Sequence, residues 1–203
     1  MFEGFTTTEI ETHSSLFGDA RIHLRHGGDG PPLLLLHGNP LTHASWGKIA
    51  NRLAEHFHVV ATDLRGYGDS VGPETGGDNN INYSFRAMAQ DQVAVMEQLG
   101  YREFFVAGHD RGARTTARMC LDYPDRVKRA ALLDIVPTLY RFETIDQKAA
   151  TGLPSRRADA GCNADLERVS FCWPKSCLPD APLANDFAEH GPAPLSANRM
   201  RRR

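Results

Sequence analysis

The chain has 203 residues, 41% of them hydrophobic, and 23 basic side chains against 25 acidic ones give a formal net charge of −2. Such a length carries one domain with a sizeable core, or one domain with a tail. The near-neutral balance gives no electrostatic reason to expect nucleic acid or an anionic membrane as partner, and no apolar run approaches the ~20 residues that span a bilayer.

Residues 6–25 alternate polar and apolar, most clearly at Arg21-Ile22-His23-Leu24, as two half-buried antiparallel strands do. Gly27–Pro32 is a turn cluster, and the unbroken apolar run Leu33–Leu36 fits a strand buried on both faces. A helix is expected over Trp46–Glu55, another buried strand over Val59–Asp63, and a polar loop over residues 71–83. Ser84 can cap the next helix, whose Met88, Val95, Met96 and Leu99 share one face and which Gly100 stops. Phe104–Ala107 then reads as a strand, Arg111–Leu121 as a helix, and Ala130–Val136 as a strand closed by Pro137. This alternation predicts an α/β fold with a doubly wound, mostly parallel sheet and an antiparallel start. From about Gly152 the periodicity disappears, so residues 152–203 are expected to be irregular or disordered, with no second domain.

The opening MFEGFTTTEIETHSS has no basic stretch followed by an apolar one, so no secretory leader is expected. Cys120 stands alone, while Cys162, Cys172 and Cys177 follow late in the chain without a CxxC pair. That usage fits a cytoplasmic protein rather than a disulfide-stapled one. The three late cysteines with His190 are too irregularly spaced to predict a zinc site, and no metal is expected. Gly66-Tyr67-Gly68 follows a strand but lacks the third glycine and the helix of a dinucleotide loop, so no cofactor is expected either.

Ligands of such sheets bind at the carboxyl ends of the strands. His37-Gly38-Asn39-Pro40, Asp63, Asp110 and Asp134 all fall at those ends. The stretch VAGHDRGAR, residues 106–114, runs from a strand into a G-x-D-x-G turn with small residues, Gly108 and Gly112, beside Asp110. On a tight strand-to-helix turn an acid is lifted out of the sheet, and the helix N-terminus favours its ionised form. An ionised carboxylate can attack carbon and leave an ester, although an Asp in this pattern also serves as a helix cap. The backbone N–H groups of Asn39 and Arg111 are placed to stabilise an oxyanion. Arg111 and Arg114, three positions apart, share a helix face and can fork a small carboxylate, or else pair with acids such as Asp122. Asp134 can orient an imidazole, or cap the following turn.

Residues 1 to about 150 resemble the α/β-hydrolase fold and, within it, the haloacetate (fluoroacetate) dehalogenases, through LLLLHGNP, VVATDLRGYGDS, NYSFRAMAQDQ, VAGHDRGAR and LLDIVPT. GHDRG with a second arginine at 114 is the discriminating piece, since related epoxide hydrolases and haloalkane dehalogenases usually carry Trp directly after the nucleophile. The resemblance implies that Asp110 is the nucleophile, that Asp134 is the acid of the triad, and that Arg111 and Arg114 hold the carboxylate of a small 2-haloacid. Asn39 departs from the bulky apolar residue of those enzymes and is similar to the halide-contacting Asn of haloalkane dehalogenases. The match stops near Thr151, where a helical cap and later a catalytic histidine are expected, and His190 in AEHGPAP does not match that histidine's loop. The expectation is therefore a partial hydrolase core over residues 1–151, from a truncated or frameshifted product. An epoxide hydrolase or a non-catalytic fragment are the alternatives.

Overall fold

The computed structural model describes residues 1–135 with their side chains, and the backbone of residues 169–172. The chain opens with β1 (Thr6–Thr12) and β2 (Ala20–Gly27), followed by β3 (Pro32–Leu36), α1 (Gly47–Ala54) and β4 (His58–Thr62). Then come α2 (Phe85–Gln98), β5 (Phe104–His109), α3 (Arg111–Asp122), β6 (Val127–Leu133) and β7 (Val169–Cys172). Together the strands form one seven-stranded sheet in the order β1-β2-β4-β3-β5-β6-β7. Strands β4, β3, β5 and β6 are mutually parallel, while β1, β2 and β7 run antiparallel to their neighbours.

Alternation along β3 divides the core in two. Leu34 and Leu36 face one side with Val60, Val106, Met88 and Met119, beneath α2 and α3. Leu33 and Leu35 face the other with Val59, Ala61, Trp46 and Ala50, beneath α1. Helices on both faces explain why the central strands are apolar throughout rather than alternating. Ser84 caps α2 as its position predicts, its hydroxyl accepting from the N–H of Ala87 at 3.2 Å.

One buried charge pair ties the first hairpin to α2. Arg65, 0% exposed, grips Asp91, 2% exposed, through Nε at 2.5 Å and Nη2 at 2.6 Å. Its Nη1 donates to the carbonyls of Phe17 and Asn82, and Thr12 of β1 donates to the same aspartate at 2.7 Å. A buried ion pair holds when the remaining donors and lone pairs are met in this way.

Two expectations need correction. The strand expected over Ala130–Val136 instead spans Val127–Leu133, pairing with β5 from Val127 against Phe104. Its charged entry, Lys128-Arg129, lies exposed and Lys128 pairs with Glu103 of the loop before β5, so the apolar run begins only midway along the strand. Asp134 is consequently one residue past the strand, at a left-handed φ of 50°. Residues 152–203 also carry a strand where none is expected: β7 pairs antiparallel with β6, Leu133 opposite Val169 and Ala130 opposite Cys172. Val-Ser-Phe-Cys is a short β-prone run, and the unpaired edge of β6 is a template for it. The rest of 152–203, like Pro137, Cys162, Cys177 and His190, lies outside the described residues.

Candidate active site

The chain passes from β3 to β4 on one side of β3 and returns to β5 on the other. The carboxyl ends of β3 and β5 therefore flank a topological switch point, the place where a parallel sheet opens a crevice. Asn39 follows β3 and Asp110 follows β5, and the structure brings the two together: the N–H of Asn39 donates to Oδ2 of Asp110 at 3.0 Å.

Asp110 sits at φ 45°, ψ −104°, an unusual conformation for a residue with a Cβ. Its surroundings impose it. The N–H of Asp110 donates to the Leu133 carbonyl of β6 at 3.1 Å, and its own carbonyl accepts from the N–H of Arg114 at 3.2 Å. Close approach explains the flanking glycines. A Cβ on Gly108 would lie 2.4 Å from the Gly112 carbonyl oxygen, and one on Gly112 would lie 2.3 Å from that of Leu36. Although Asp110 occupies the N-cap position of α3, its side chain makes no capping hydrogen bond. It is turned instead to the loop after β3, which distinguishes it from an ordinary helix cap.

Arg111 begins α3, and its guanidinium lies 5.7 Å from the ring centre of Tyr67 and 5.2 Å from that of Phe85. Its Nε is buried without a hydrogen bond among the described residues. Arg114 is half-buried one turn further on. The alternative partner Asp122 is taken by Arg118 and Arg86. Asp134, with its side chain 71% exposed, meets the ring of His109 at 3.7 Å. No hydrogen bond joins a histidine ring to Asp110 among the described residues.

The loops carrying Asn39 and Tyr67 hang from buried polar braces. His37 accepts the N–H of Leu64 at Nε2, 3.0 Å away, while Nδ1 lies 2.8 Å from the Gly38 carbonyl. Those contacts require a neutral ring protonated at Nδ1. Burial pushes the pKa of His37 below its ordinary value, more than the Gly38 carbonyl and Asp63 raise it. Asp63, 0% exposed, accepts from the N–H and Nδ1 of His43 and from the N–H of Asp69. Burial alone would raise the pKa of this carboxyl, but the hydrogen bonds from His43 and Asp69 outweigh it and hold it below the usual range. His23, His43 and Asp63 place metal-ligand atoms within 4.8 Å of one another. Both carboxylate oxygens are already engaged in the brace, which accounts for the cluster. The sequence pattern places His37 and Asp63 at strand ends and marks Gly66-Tyr67-Gly68 as a turn, but it carries no signal for Phe85, for His43 as the partner of Asp63 or for the contact of Tyr67 with Asn39.

Comparison with known proteins places this architecture. The alpha/beta hydrolase fold model matches residues 31–160. The chain belongs to that family. Among alpha/beta hydrolases it is 48% identical over 150 residues to a fluoroacetate dehalogenase from Burkholderia sp, covering 74% of this chain and 47% of the relative. It is 39% identical over 135 residues to a soluble epoxide hydrolase from Corynebacterium sp. (strain C12), covering 66% of this chain and 45% of that protein. The crystal structure of a protein from Nostoc sp PCC 7120 described as an alpha/beta hydrolase superposes with a TM-score of 0.67 at 56% identity, covering 74% of this chain and 50% of the other. The chain thus spans about half the length of the relatives it matches. No helix among the described residues is long and apolar enough to cross a membrane.

Proposed function

We propose that the described residues form the nucleophile half of a dehalogenase for small 2-haloacids. The observation that carries this is Arg111, the residue directly after Asp110, which keeps its charge beside the elbow with no acid paired to it among the described residues. A cation left in that state favours a substrate that brings its own carboxylate.

In the first step an oxygen of Asp110 attacks the alpha carbon. A C–O bond forms as the carbon–halogen bond breaks, and the halide leaves with the bonding pair. Arg111 and Arg114 hold the substrate carboxylate, the charge the arginines are suited to bind. In the second step water gives a proton to a base and adds to the carbonyl of the Asp110 ester. The bond from that carbonyl carbon to the substrate oxygen then breaks, the proton of the added hydroxyl passes to that oxygen, and the 2-hydroxy acid leaves Asp110 as a carboxylate. The N–H of Asn39, already 3.0 Å from Oδ2, and that of Arg111 receive the negative charge that develops. Asp134 can orient the base that takes the proton from the attacking water.

Epoxide hydrolysis is the second reading, favoured by the likeness to the Corynebacterium enzyme and by the same nucleophile. The two separate on one comparison: halide release and Asp110 ester formation with chloroacetate, against diol formation from styrene oxide. An ester mapped to Asp110 after chloroacetate is the expected result. If halide release follows stoichiometrically and then stops, the chain alkylates without completing the cycle. Diol formation without reaction at chloroacetate would overturn the haloacid reading.

A further inference from the structure

The Gly66-Tyr67-Gly68 turn, too short a motif for a dinucleotide loop, lies against the elbow. Gly66 and Gly68 adopt left-handed φ values of 75° and 54°, and a Cβ on Gly68 would lie 2.2 Å from a carboxylate oxygen of Asp63. The turn is thus pressed onto the Asp63 brace, and Tyr67 projects from it. The Tyr67 hydroxyl donates to Oδ1 of Asn39 at 2.9 Å, and its ring meets His37 edge-on at 5.3 Å. Phe85, set at the first turn of α2 by the Ser84 cap, packs with Tyr67 against the same core cluster.

We infer that Tyr67 and Phe85 are positioning residues that seat Arg111 by the face of its guanidinium and leave its N–H edges for the substrate carboxylate. This rests on the haloacid reading of the elbow. The physical case is a contrast between two ways of fixing an arginine. An acid partner orients the group by consuming its donors and cancelling its charge. Aromatic rings orient it through cation–π attraction, worth more where water is excluded, and consume neither. Arg111 shows the second arrangement: two rings within 6 Å of its central carbon, and no side-chain hydrogen bond or ion pair among the described residues. Tyr67 also holds Asn39, so one side chain sets both the anion seat and the loop whose N–H touches Asp110.

The test compares alkylation of Asp110 by chloroacetate and by neutral chloroacetamide, followed by intact mass and peptide mapping on the full chain. In each case the oxygen–carbon bond forms as carbon–chlorine breaks and chloride departs. Only the first probe presents a carboxylate to Arg111. In Tyr67→Leu and Phe85→Leu the ratio of chloroacetate to chloroacetamide rates should fall about tenfold. Tyr67→Phe, which keeps the ring and loses the hydroxyl, should restore most of the ratio. A purely structural role for the rings lowers both rates together and leaves the ratio unchanged, which overturns the inference. A parent chain that never reacts with chloroacetate at Asp110 overturns the haloacid reading itself, and with it the role given to the rings.

Discussion

Arg65 and Arg111 are both held against the same sheet, and they are held in opposite ways. Arg65 ties the first hairpin to α2, where every nitrogen of its guanidinium meets an acceptor and Asp91 cancels its charge. Arg111 sits at the elbow with aromatic faces for neighbours and, among the described residues, its Nε unmet. The difference teaches how to separate a structural ion from a functional one: the first is finished inside the chain, the second is left incomplete. The same contrast divides the acids, since Asp63 is saturated by His43 and Asp69 whereas Asp110 is strained and, among the described residues, its carboxylate reaches one backbone N–H.

The largest effect should come from breaking the finished side. Arg65→Met strands Asp91 as an unpaired buried charge and should cost about 3–5 kcal/mol in urea unfolding. Adding Asp91→Leu removes the stranded charge and should recover much of that loss; a double variant as unstable as the single one would mean that the pair itself stabilises the fold. Acid probes the brace next. The folded-state pKa values of His37 and His26 lie below the ordinary histidine value, both chiefly through burial, so below about pH 6.5 the unfolded chain binds more protons than the folded one. Stability should therefore be fully present above that pH and fall on acidification, by up to about 1.4 kcal/mol per pH unit for His37 and by less for the more exposed His26, whose charge water screens. Asp63, held below its ordinary range, adds a second loss only as the pH drops below about 4. A flat urea midpoint from pH 7.5 to 5 would contradict this. The smallest change is expected at the unfinished arginine: Arg111→Met should alter stability by less than about 1 kcal/mol, because among the described residues it loses ring contacts and no side-chain hydrogen bond. A penalty as large as that of Arg65→Met would erase the contrast between the two regions.

Much of this was legible in the sequence where the signal is local. The apolar runs at Leu33–Leu36 and Phe104–Ala107, the Ser84 cap and the glycines around Asp110 each report a backbone requirement that neighbours in the chain reveal. The entry of β6 was hidden because Lys128 and Arg129 point away from the core, and β7 because a four-residue strand carries no period. Tyr67 was hidden for another reason. Its partners Asn39, Phe85 and Arg111 lie 28, 18 and 44 positions away, and its motif taken alone suggests a different chemistry. Asp134 shows the limit from the other side: its position near a strand end was readable, but the exposure that leaves it facing His109 was not.

The brace under the crevice also has a kinetic consequence. The amides of His43 and Leu64 lie outside the strands, yet each donates to a buried side chain that ties the end of β3 to the end of β4. Loop amides ordinarily exchange with solvent through small local openings, but releasing these two requires the ends of β3 and β4 to separate. In deuterated water the rim of the crevice should keep its protons about as long as the strands behind it, marking a mouth whose walls open only when the sheet does.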